Sequence, residues 1–189
     1  VLGDNDLFYL AGNAPESGTE PWVSDGTAEG TYILQDTHPG AESARSVHYR
    51  IAHDGIVYFL LHVRDADGSV QLWRSGGTMA STSMIKAVGY DFEYHSFLVY
   101  GDKIAFFNFI DPYHELWVSD GTTEGTQMIF TLDADNSLDY FDVVNGHMLF
   151  AGMDQGYPTA FHRSDGTEAG TGPFVGFKSH DSPSGRREL

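Results

Sequence analysis

The sequence predicts an all-β protein made of four repeats, because one twelve-residue motif occurs four times. The motif is best preserved at residues 115–126 (ELWVSDGTTEGT) and 20–31 (EPWVSDGTAEGT). Residues 71–82 (QLWRSGGTMAST) and 160–171 (AFHRSDGTEAGT) are weaker copies. Between the copies lie short runs rich in β-branched and aromatic residues, separated by turn residues, without a helical hydrophobic stripe longer than a turn or two. Strand-rich repeats therefore account for nearly the whole chain.

The spacing of the motif indicates the size of the repeating unit. Equivalent positions, from Trp22 through Trp73 and Trp117 to His162, lie 51, 44 and 45 residues apart. A period of about 40 to 50 residues is typical of a β-propeller blade, which is a four-stranded antiparallel sheet. We therefore expect a single β-propeller domain over residues 1–189, with four four-stranded blades.

The third unit illustrates the expected blade. Residues 94–100 predict a first strand, Gly101-Asp102 a tight turn and residues 103–108 a second strand, so that this pair forms a hairpin. Residues 115–118 predict the third strand, and the motif then turns the chain into a fourth strand at residues 126–130.

The boundaries of two further blades follow from the same order of strands. Hairpin turns are predicted at Asp54-Gly55 in the second unit and at Asn145-Gly146 in the fourth, because these dipeptides favour two-residue hairpin loops. The expected boundaries are 44–88 for blade 2, 92–132 for blade 3 and 138–177 for blade 4.

Blade 1 is expected to combine both ends of the chain. Residues 1–36 contain the motif but have room for only the end of a first strand. Residues 185–189, placed before residue 1, continue the pattern of that strand as it occurs in the fourth unit. A strand at 185–189 would close a four-bladed ring and cover two sheet edges. Two other arrangements are compatible with the same four repeats. The chain would form half of an eight-bladed ring made by two chains, or a part of a longer ring.

Composition restricts the classes of partner. The chain has 10 Lys and Arg residues against 27 Asp and Glu, a formal net charge of −17. Such a chain is not expected to bind nucleic acid or anionic membranes. It has no cysteine, which excludes disulfides and thiolate metal sites. No apolar run is long enough for a membrane span, and the N-terminus carries neither an initiator Met nor a signal peptide, as in an excised part of a longer protein.

The Ser-Asp-Gly-Thr segment of the motif is expected to be a structural turn. Its Asp can accept hydrogen bonds from backbone amides of the same turn, and its Gly can adopt the positive φ that the turn needs. A calcium site is the alternative, but each short loop supplies a single carboxylate. The second copy departs from the motif, with Gly76 in place of Asp and Ser81 in place of the later Gly. The residues in these turn roles are Asp25, Gly26, Asp120, Gly121, Asp165 and Gly166.

The aromatic position of the motif is expected to form the blade core. Trp22, Trp73 and Trp117 can each remove on the order of 200 Å² from water between neighbouring sheets. The fourth copy has His162 at this position.

The motif resembles the ELWxxDGT repeat of bacterial secreted and cell-surface proteins of propeller type, and the resemblance covers essentially the whole chain. The turn also resembles the Asp-box of sialidases and related propellers, in which the Asp is structural. The resemblance implies a propeller fold and an extracytoplasmic setting, secreted or on the bacterial cell surface. It does not imply an activity.

Candidate ligand residues lie in the predicted first strands, which line the channel of a propeller. His48 and His95 lie in these strands, and the equivalent parts of the other blades offer Asp139 or Tyr140, and Glu188. Together they predict a site for a metal or small ligand at the channel mouth. The competing interpretation is that they are ordinary hydrogen-bonded or solvated strand residues.

Loop residues provide two further candidate sites. Tyr94, Tyr113 and Tyr157 fall in or near loops, where aromatic faces can stack on sugar rings. Asp65 and Asp67 alternate before a glycine, a local calcium pattern that lacks the downstream Glu of an EF-hand. Packing between blades and an acidic hairpin tip are the competing interpretations.

Three functions are compatible with these observations. No nucleophile elbow, His-Glu-x-x-His, phosphate loop or dinucleotide motif is present. The leading hypothesis is therefore a non-enzymatic interaction or structural module with a protein partner, in a larger assembly or a homo-oligomer, without a cofactor. The second is a lectin-like propeller that binds a glycan or small ligand, with or without calcium, and the third is a polysaccharide-processing enzyme.

Overall fold

The computed structural model of the chain describes residues 1–3, 5–37, 46–63, 68–89, 96–110, 113–133, 137–154 and 157–176. Within these ranges the chain forms fifteen strands and one short 3-10 helix, with no α-helix. The strands make four antiparallel sheets that follow one another along the chain, one of three strands and three of four. The prediction of an all-β fold is confirmed, and the fold resembles a propeller.

Each sheet is a meander in which the strands are neighbours in sequence order. Sheet 1 consists of β1 (Phe8–Ala14), β2 (Gly18–Ser24) and β3 (Tyr32–Ile33). Sheet 2 consists of β4 (Ser46–His53), β5 (Ile56–His62), β6 (Val70–Ser75) and β7 (Ser83–Gly89), with the 3-10 helix Met79–Ser81 before β7. Sheet 3 consists of β8 (Phe97–Tyr100), β9 (Lys103–Ile110), β10 (Tyr113–Ser119) and β11 (Gln127–Asp133). Sheet 4 consists of β12 (Ser137–Val144), β13 (His147–Asp154), β14 (Tyr157–Ser164) and β15 (Gly172–Gly176).

The first hairpins of sheets 2 and 4 turn at the predicted dipeptides. Asp54 and Gly55 both have positive φ, at 49° and 74°, and Asn145 and Gly146 have φ of 50° and 75°. Positive φ at both loop residues belongs to the type I′ turn, whose twist matches that of the flanking strands. Asp-Gly and Asn-Gly adopt this conformation at low cost, which is why the sequence located these turns.

The N-terminus occupies the first-strand position of sheet 1. The Val1 ammonium donates to the Tyr9 carbonyl at 2.7 Å, and the Tyr9 amide donates to the Val1 carbonyl at 2.8 Å. The Gly3 amide donates to the Leu7 carbonyl at 2.8 Å. Residues 1–3 therefore pair with the inner edge of β1, while residues 185–189, predicted to supply the rest of this strand, lie outside the described residues.

The hydrophobic core lies between successive sheets. The interface of sheets 1 and 2 buries a cluster from both, as do the interfaces of sheets 2 and 3 and of sheets 3 and 4. The first strands β4, β8 and β12 adjoin one another, so the sheets share a common inner side. Burying one large apolar side chain contributes roughly 1.5–3 kcal/mol. Fully buried members of the three clusters include Tyr9, Phe59, Leu72, Phe106, Leu116 and Phe150.

Candidate functional site

The Asp-Gly-Thr turn of sheet 3 is closed by side-chain hydrogen bonds. Asp120 Oδ1 accepts from the Thr122 amide at 2.9 Å and from Thr122 Oγ1 at 2.7 Å. Thr122 Oγ1 in turn accepts from the Gly125 amide at 2.9 Å. Gly121 has a φ of 85°, a conformation that favours glycine. The hydrogen bonds from Thr122 lower the pKa of the exposed Asp120 carboxyl.

The same turn recurs in sheets 1 and 4. Asp25 accepts from the amide and hydroxyl of Thr27 at 2.9 and 2.7 Å, and Asp165 accepts from those of Thr167 at 3.0 and 2.7 Å. These bonds lower the pKa of both carboxyls. Each Asp uses one oxygen to order its own loop, and each faces solvent. The geometry gives the three carboxylates a structural role.

Sheet 2 closes the same turn without a carboxylate. Ser81 Oγ accepts from the Gly76 amide at 3.2 Å and from the Thr78 amide at 3.1 Å. The Ser81 amide donates back to Thr78 Oγ1 at 3.2 Å, which caps the short 3-10 helix. A serine hydroxyl from the far end of the loop therefore replaces the aspartate at its start.

In sheets 2 and 3 the polar residue two positions before the tryptophan caps the indole. Trp117 Nε1 donates to Glu115 Oε2 at 2.9 Å, and Trp73 Nε1 donates to Gln71 Oε1 at 3.0 Å. Burial raises the pKa of Glu115, and the hydrogen bond from Trp117 partly offsets this. Sequence reasoning missed this role. Residues two apart on a strand share a face, but the spacing alone does not decide the cap, because Glu20 in sheet 1 instead accepts from the amide and hydroxyl of Thr37.

Each aromatic ring of the motif in sheets 2 to 4 stacks on a phenylalanine of the neighbouring strand. The tryptophans are half-buried, whereas His162 is buried, and burial lowers the pKa of its imidazole. His162 thus keeps the ring stack while replacing the indole by a smaller, titratable ring. The pairs are Trp73 with Phe59 at 6.5 Å and 18°, Trp117 with Phe106 at 6.3 Å and 10°, and His162 with Phe150 at 5.1 Å and 7°.

The predicted ligand residues are only partly described. His48 lies in β4 and Tyr157 in β14, where only the backbone is described. Tyr113 begins β10 with 47% of its surface exposed, on a different sheet from Tyr140. In the parts of the chain that the structure describes, no group of three or more His, Asp or Glu side chains is placed to hold a metal. Outside the described residues lie Asp65, Asp67, Tyr94, His95 and Glu188.

Tyr140 occupies an unusual backbone position. It lies in the bulge of β12 between Asp139 and Phe141, with a φ of 59° and 65% of its surface exposed. A positive φ is unfavourable for a bulky residue and is worth noting as a functional hint. Tyr140 lines a cavity of about 210 Å³ on sheet 4, together with Asp142, Val144, Leu149, Phe150 and Phe161.

Among the described residues, no other sheet packs against one face of sheet 1. We call it the leading face, because it points away from sheet 2, and it carries Leu2 and Phe8. Phe8 pairs with the motif Ser24, and the residues that pair with the equivalent serines are Val57, Ile104 and Met148. Phe8 is 51% exposed, whereas those three residues are at most 1% exposed because each packs against the preceding sheet.

At the opposite end of the row of sheets, one face of sheet 4 is likewise not covered by any sheet in the described ranges. This trailing face of sheet 4 points away from sheet 3 and carries Val144, Leu149, Phe161 and Val175. Val144 and Val175 are exposed, and Leu149 and Phe161 are half-buried. Their counterparts Ala105 and Leu116 in sheet 3 are fully buried in the interface with sheet 4. The residues of the two terminal faces thus lie at register positions that are buried at the interfaces between sheets, but here these residues are exposed or half-buried.

Comparisons with known proteins provide little further information. No protein-family model matches the chain, and no curated protein matches it. Among solved structures, it is similar to a chain described as "Bifunctional GH43-CE" from Bacteroides eggerthii, with 15% identity and a TM-score of 0.40. That likeness covers 90% of this chain and 26% of the other, so the chain spans about a quarter of its length. Within the described residues, no helix is long and apolar enough to cross a membrane.

Proposed function

We propose that this chain is a propeller-type module that works as an interaction or structural domain in a larger assembly, without catalysing a reaction. The observation that carries the proposal is the pair of uncovered terminal faces. Phe8 and Leu2 on one face, and Val144 and Val175 on the other, occupy register positions that successive sheets use for packing. Contiguous exposed apolar surface on a soluble protein is typical of interaction sites.

Two arrangements would cover these faces. In a closed four-bladed ring, residues 185–189 complete sheet 1 and sheet 4 packs against it within one chain. In an assembly, another polypeptide supplies the missing neighbours. The exposure of Phe8 and Val144 in the single chain favours the assembly. The Asp-Gly-Thr turns support a structural role for the motif, because their carboxylates are engaged within their own loops.

Light scattering of the isolated chain tests this function. We expect a mass above the 20.8 kDa of one chain, and we expect Phe8→Asp to shift the mass towards 20.8 kDa without changing the circular dichroism spectrum. Met79→Asp is the matched control, because Met79 is 62% exposed but lies in the 3-10 helix of sheet 2. A 20.8 kDa species that Phe8→Asp leaves unchanged would overturn the proposal and favour the closed ring.

Glycan binding is the second candidate, and the exposed Tyr140 favours it. Its ring lies beside a cavity with an apolar lining, to which Leu149 and Phe161 contribute, and an apolar surface of this kind can pack against the face of a sugar ring. We expect Tyr140→Ala to abolish binding in a panel of soluble polysaccharides if this function holds, with Met84→Ala as the control, because Met84 is exposed on β7 of sheet 2. Repeating the panel with a chelator tests the calcium requirement. Absence of binding to every polysaccharide would exclude this candidate.

A further inference from the structure

We infer that the partner of the terminal faces is a second copy of this chain, joined head to tail. The leading face of sheet 1 in one copy packs on the trailing face of sheet 4 in the other. The two copies make two identical interfaces and a ring of eight sheets. This inference rests on the proposed function and names the partner.

The register of the sheets identifies what fits the leading face. Sheets 2, 3 and 4 each place an apolar residue, opposite the motif serine, against the preceding sheet. Sheet 1 places Phe8 at this position and Leu2 beside it. At each internal interface, this residue packs on the trailing face of the preceding sheet, that is, the face that points along the row towards the next sheet. The leading face of sheet 1 is therefore expected to pack on the trailing face of another sheet of this type.

The trailing face of sheet 4 is that kind of surface. Leu149 and Phe161 correspond in register to Ala105 and Leu116 of sheet 3. Those two residues are buried where sheet 3 packs against sheet 4. Val144 and Val175 extend the apolar surface along β12 and β15. The cavity of about 210 Å³ on this face is open where the next sheet would pack.

A second copy accounts for the exposure better than closure within one chain. Phe8 is 51% exposed and Val144 is 45% exposed, so the described residues of one chain leave both terminal faces uncovered. Head-to-tail contacts that repeat an internal step either close into a ring or continue as a filament. Two chains of four sheets close when the step is one eighth of a turn, and no terminal face then remains exposed.

Cysteine cross-linking tests the pairing directly, because the natural chain contains no cysteine. We would mix one chain carrying Phe8→Cys with another carrying Val144→Cys, add a short bis-maleimide and analyse the products under denaturing conditions. We expect a covalent dimer containing one of each chain. Met79→Cys replaces Phe8→Cys in the control mixture and should give little product.

The double variant Phe8→Cys/Val144→Cys distinguishes the possible closures. We expect cross-links between chains and a native mass of twice 20.8 kDa. A cross-link within one chain would overturn the inference in favour of a self-closed ring, and a mass that grows with concentration would indicate an open filament. An oligomer without Phe8 to Val144 cross-links would refute this pairing and leave the proposed function standing, whereas a monomer would refute both.

The strength of association provides a second measurement. Phe8→Asp and Val144→Asp should each weaken dimerisation by about tenfold or more, because each buries a charge at the contact. Both substitutions change exposed side chains, so the monomer should keep its circular dichroism spectrum. Measurements belong at physiological ionic strength or above, since the net charge of −17 on each chain opposes association at low salt. Unchanged dimerisation of both variants would contradict the inference.

Discussion

Sheets 2 and 3 contain the same turn, but different side chains form the hydrogen bonds that close it. In sheet 3 the Asp120 carboxylate closes the loop, and Gly125 stands opposite it. In sheet 2 Gly76 stands where the aspartate would be, and the Ser81 hydroxyl closes the loop from the other side. In both turns, two hydroxyls seven residues apart form a hydrogen bond of 2.7 Å across the loop, Ser75 with Thr82 and Ser119 with Thr126. The path of the turn is retained although its polar group has moved.

Steric exclusion explains why the two positions change together. A Cβ on Gly125 would lie 2.0 Å from Asp120 Oδ1, so the carboxylate and a side chain at 125 cannot occupy the same space. In sheet 2 a Cβ on Gly76 would lie 3.2 Å from Ser81 Oγ. The loop has room for one polar group, contributed from either end. The departures of sheet 2 from the motif are thus a coupled replacement and do not weaken its turn.

The ring stack is the feature that sheets 2 and 3 share, and its loss should have the largest effect. Trp117→Ala is expected to lower the free energy of unfolding by about 3 kcal/mol or more, because the indole packs on Phe106 and its Nε1 is capped. Trp73→Ala should have a similar effect. Urea denaturation measures both, and a change below about 1 kcal/mol for Trp117→Ala would mean that the stack does not contribute to the core.

The coupled replacement can be tested by transferring it to sheet 3. Gly125→Ser should destabilise the protein by about 2 kcal/mol, because the new side chain displaces Asp120 from its hydrogen bonds. Asp120→Gly should cost about 1 kcal/mol through the lost hydrogen bonds. The double variant recreates the sheet 2 turn and should be more stable than the sum predicts, by about 1 to 2 kcal/mol. Additive effects in the double-mutant cycle would show that the two positions are independent.

The caps of the two indoles differ by one charge, which predicts a smaller effect. Glu115→Gln reproduces the Gln71 cap of sheet 2 and should raise the melting temperature at pH 7. Burial raises the pKa of Glu115 in the folded protein, so folding favours its protonated form. Its contribution to stability is therefore fully present below the unfolded pKa and is lost as the pH rises through the folded pKa.

The control for this prediction is the reverse change in sheet 2. Gln71→Glu should lower the melting temperature at pH 7, and the difference should shrink as the pH falls below about 4, where the carboxyl is mostly protonated in both states. Equal melting temperatures of the wild type and Glu115→Gln across this range would mean that burial of Glu115 has no consequence for stability.

In sheet 4 the ring at the tryptophan position is His162, which can titrate. Its effect on stability is expected to be the smallest of those compared. Burial lowers the pKa of His162 from 6.5, so the folded state favours the neutral imidazole. Its contribution is present above the unfolded pKa and is lost as the pH falls through the folded pKa. The wild type should therefore lose more stability than His162→Phe between pH 7.5 and about 5. Parallel pH profiles of the two proteins would exclude this titration.

The sequence located most of the local structure, for reasons that lie within short segments. Asp54-Gly55 and Asn145-Gly146 favour one turn type, and each turn forms where these residues occur. The aspartate of the motif reaches only its own loop, so its role could also be anticipated. Strand ends were less predictable: β9 continues to Ile110 instead of ending at Asn108, because pairing with β10 extends it.

Other features required knowledge of packing between distant segments. No local pattern distinguishes Phe8 from Val57, since both are apolar strand residues opposite a motif serine. Whether such a residue is buried depends on the presence of a neighbouring sheet, which is formed by residues far away in the chain. The half-buried position of Trp117 likewise depends on how deeply the adjacent sheet extends.

The sequence by itself determined the repeat, its all-β character and the turn chemistry, because hydrogen bonds and φ preferences within about seven residues decide these. The tertiary structure decided which sheet faces are covered. That outcome depends on whether another sheet packs against each face, which contacts between distant segments of the chain decide. Leu2 and Phe8 at one end, and Val144 and Val175 at the other, are exposed for that reason and form the surface from which the function is argued.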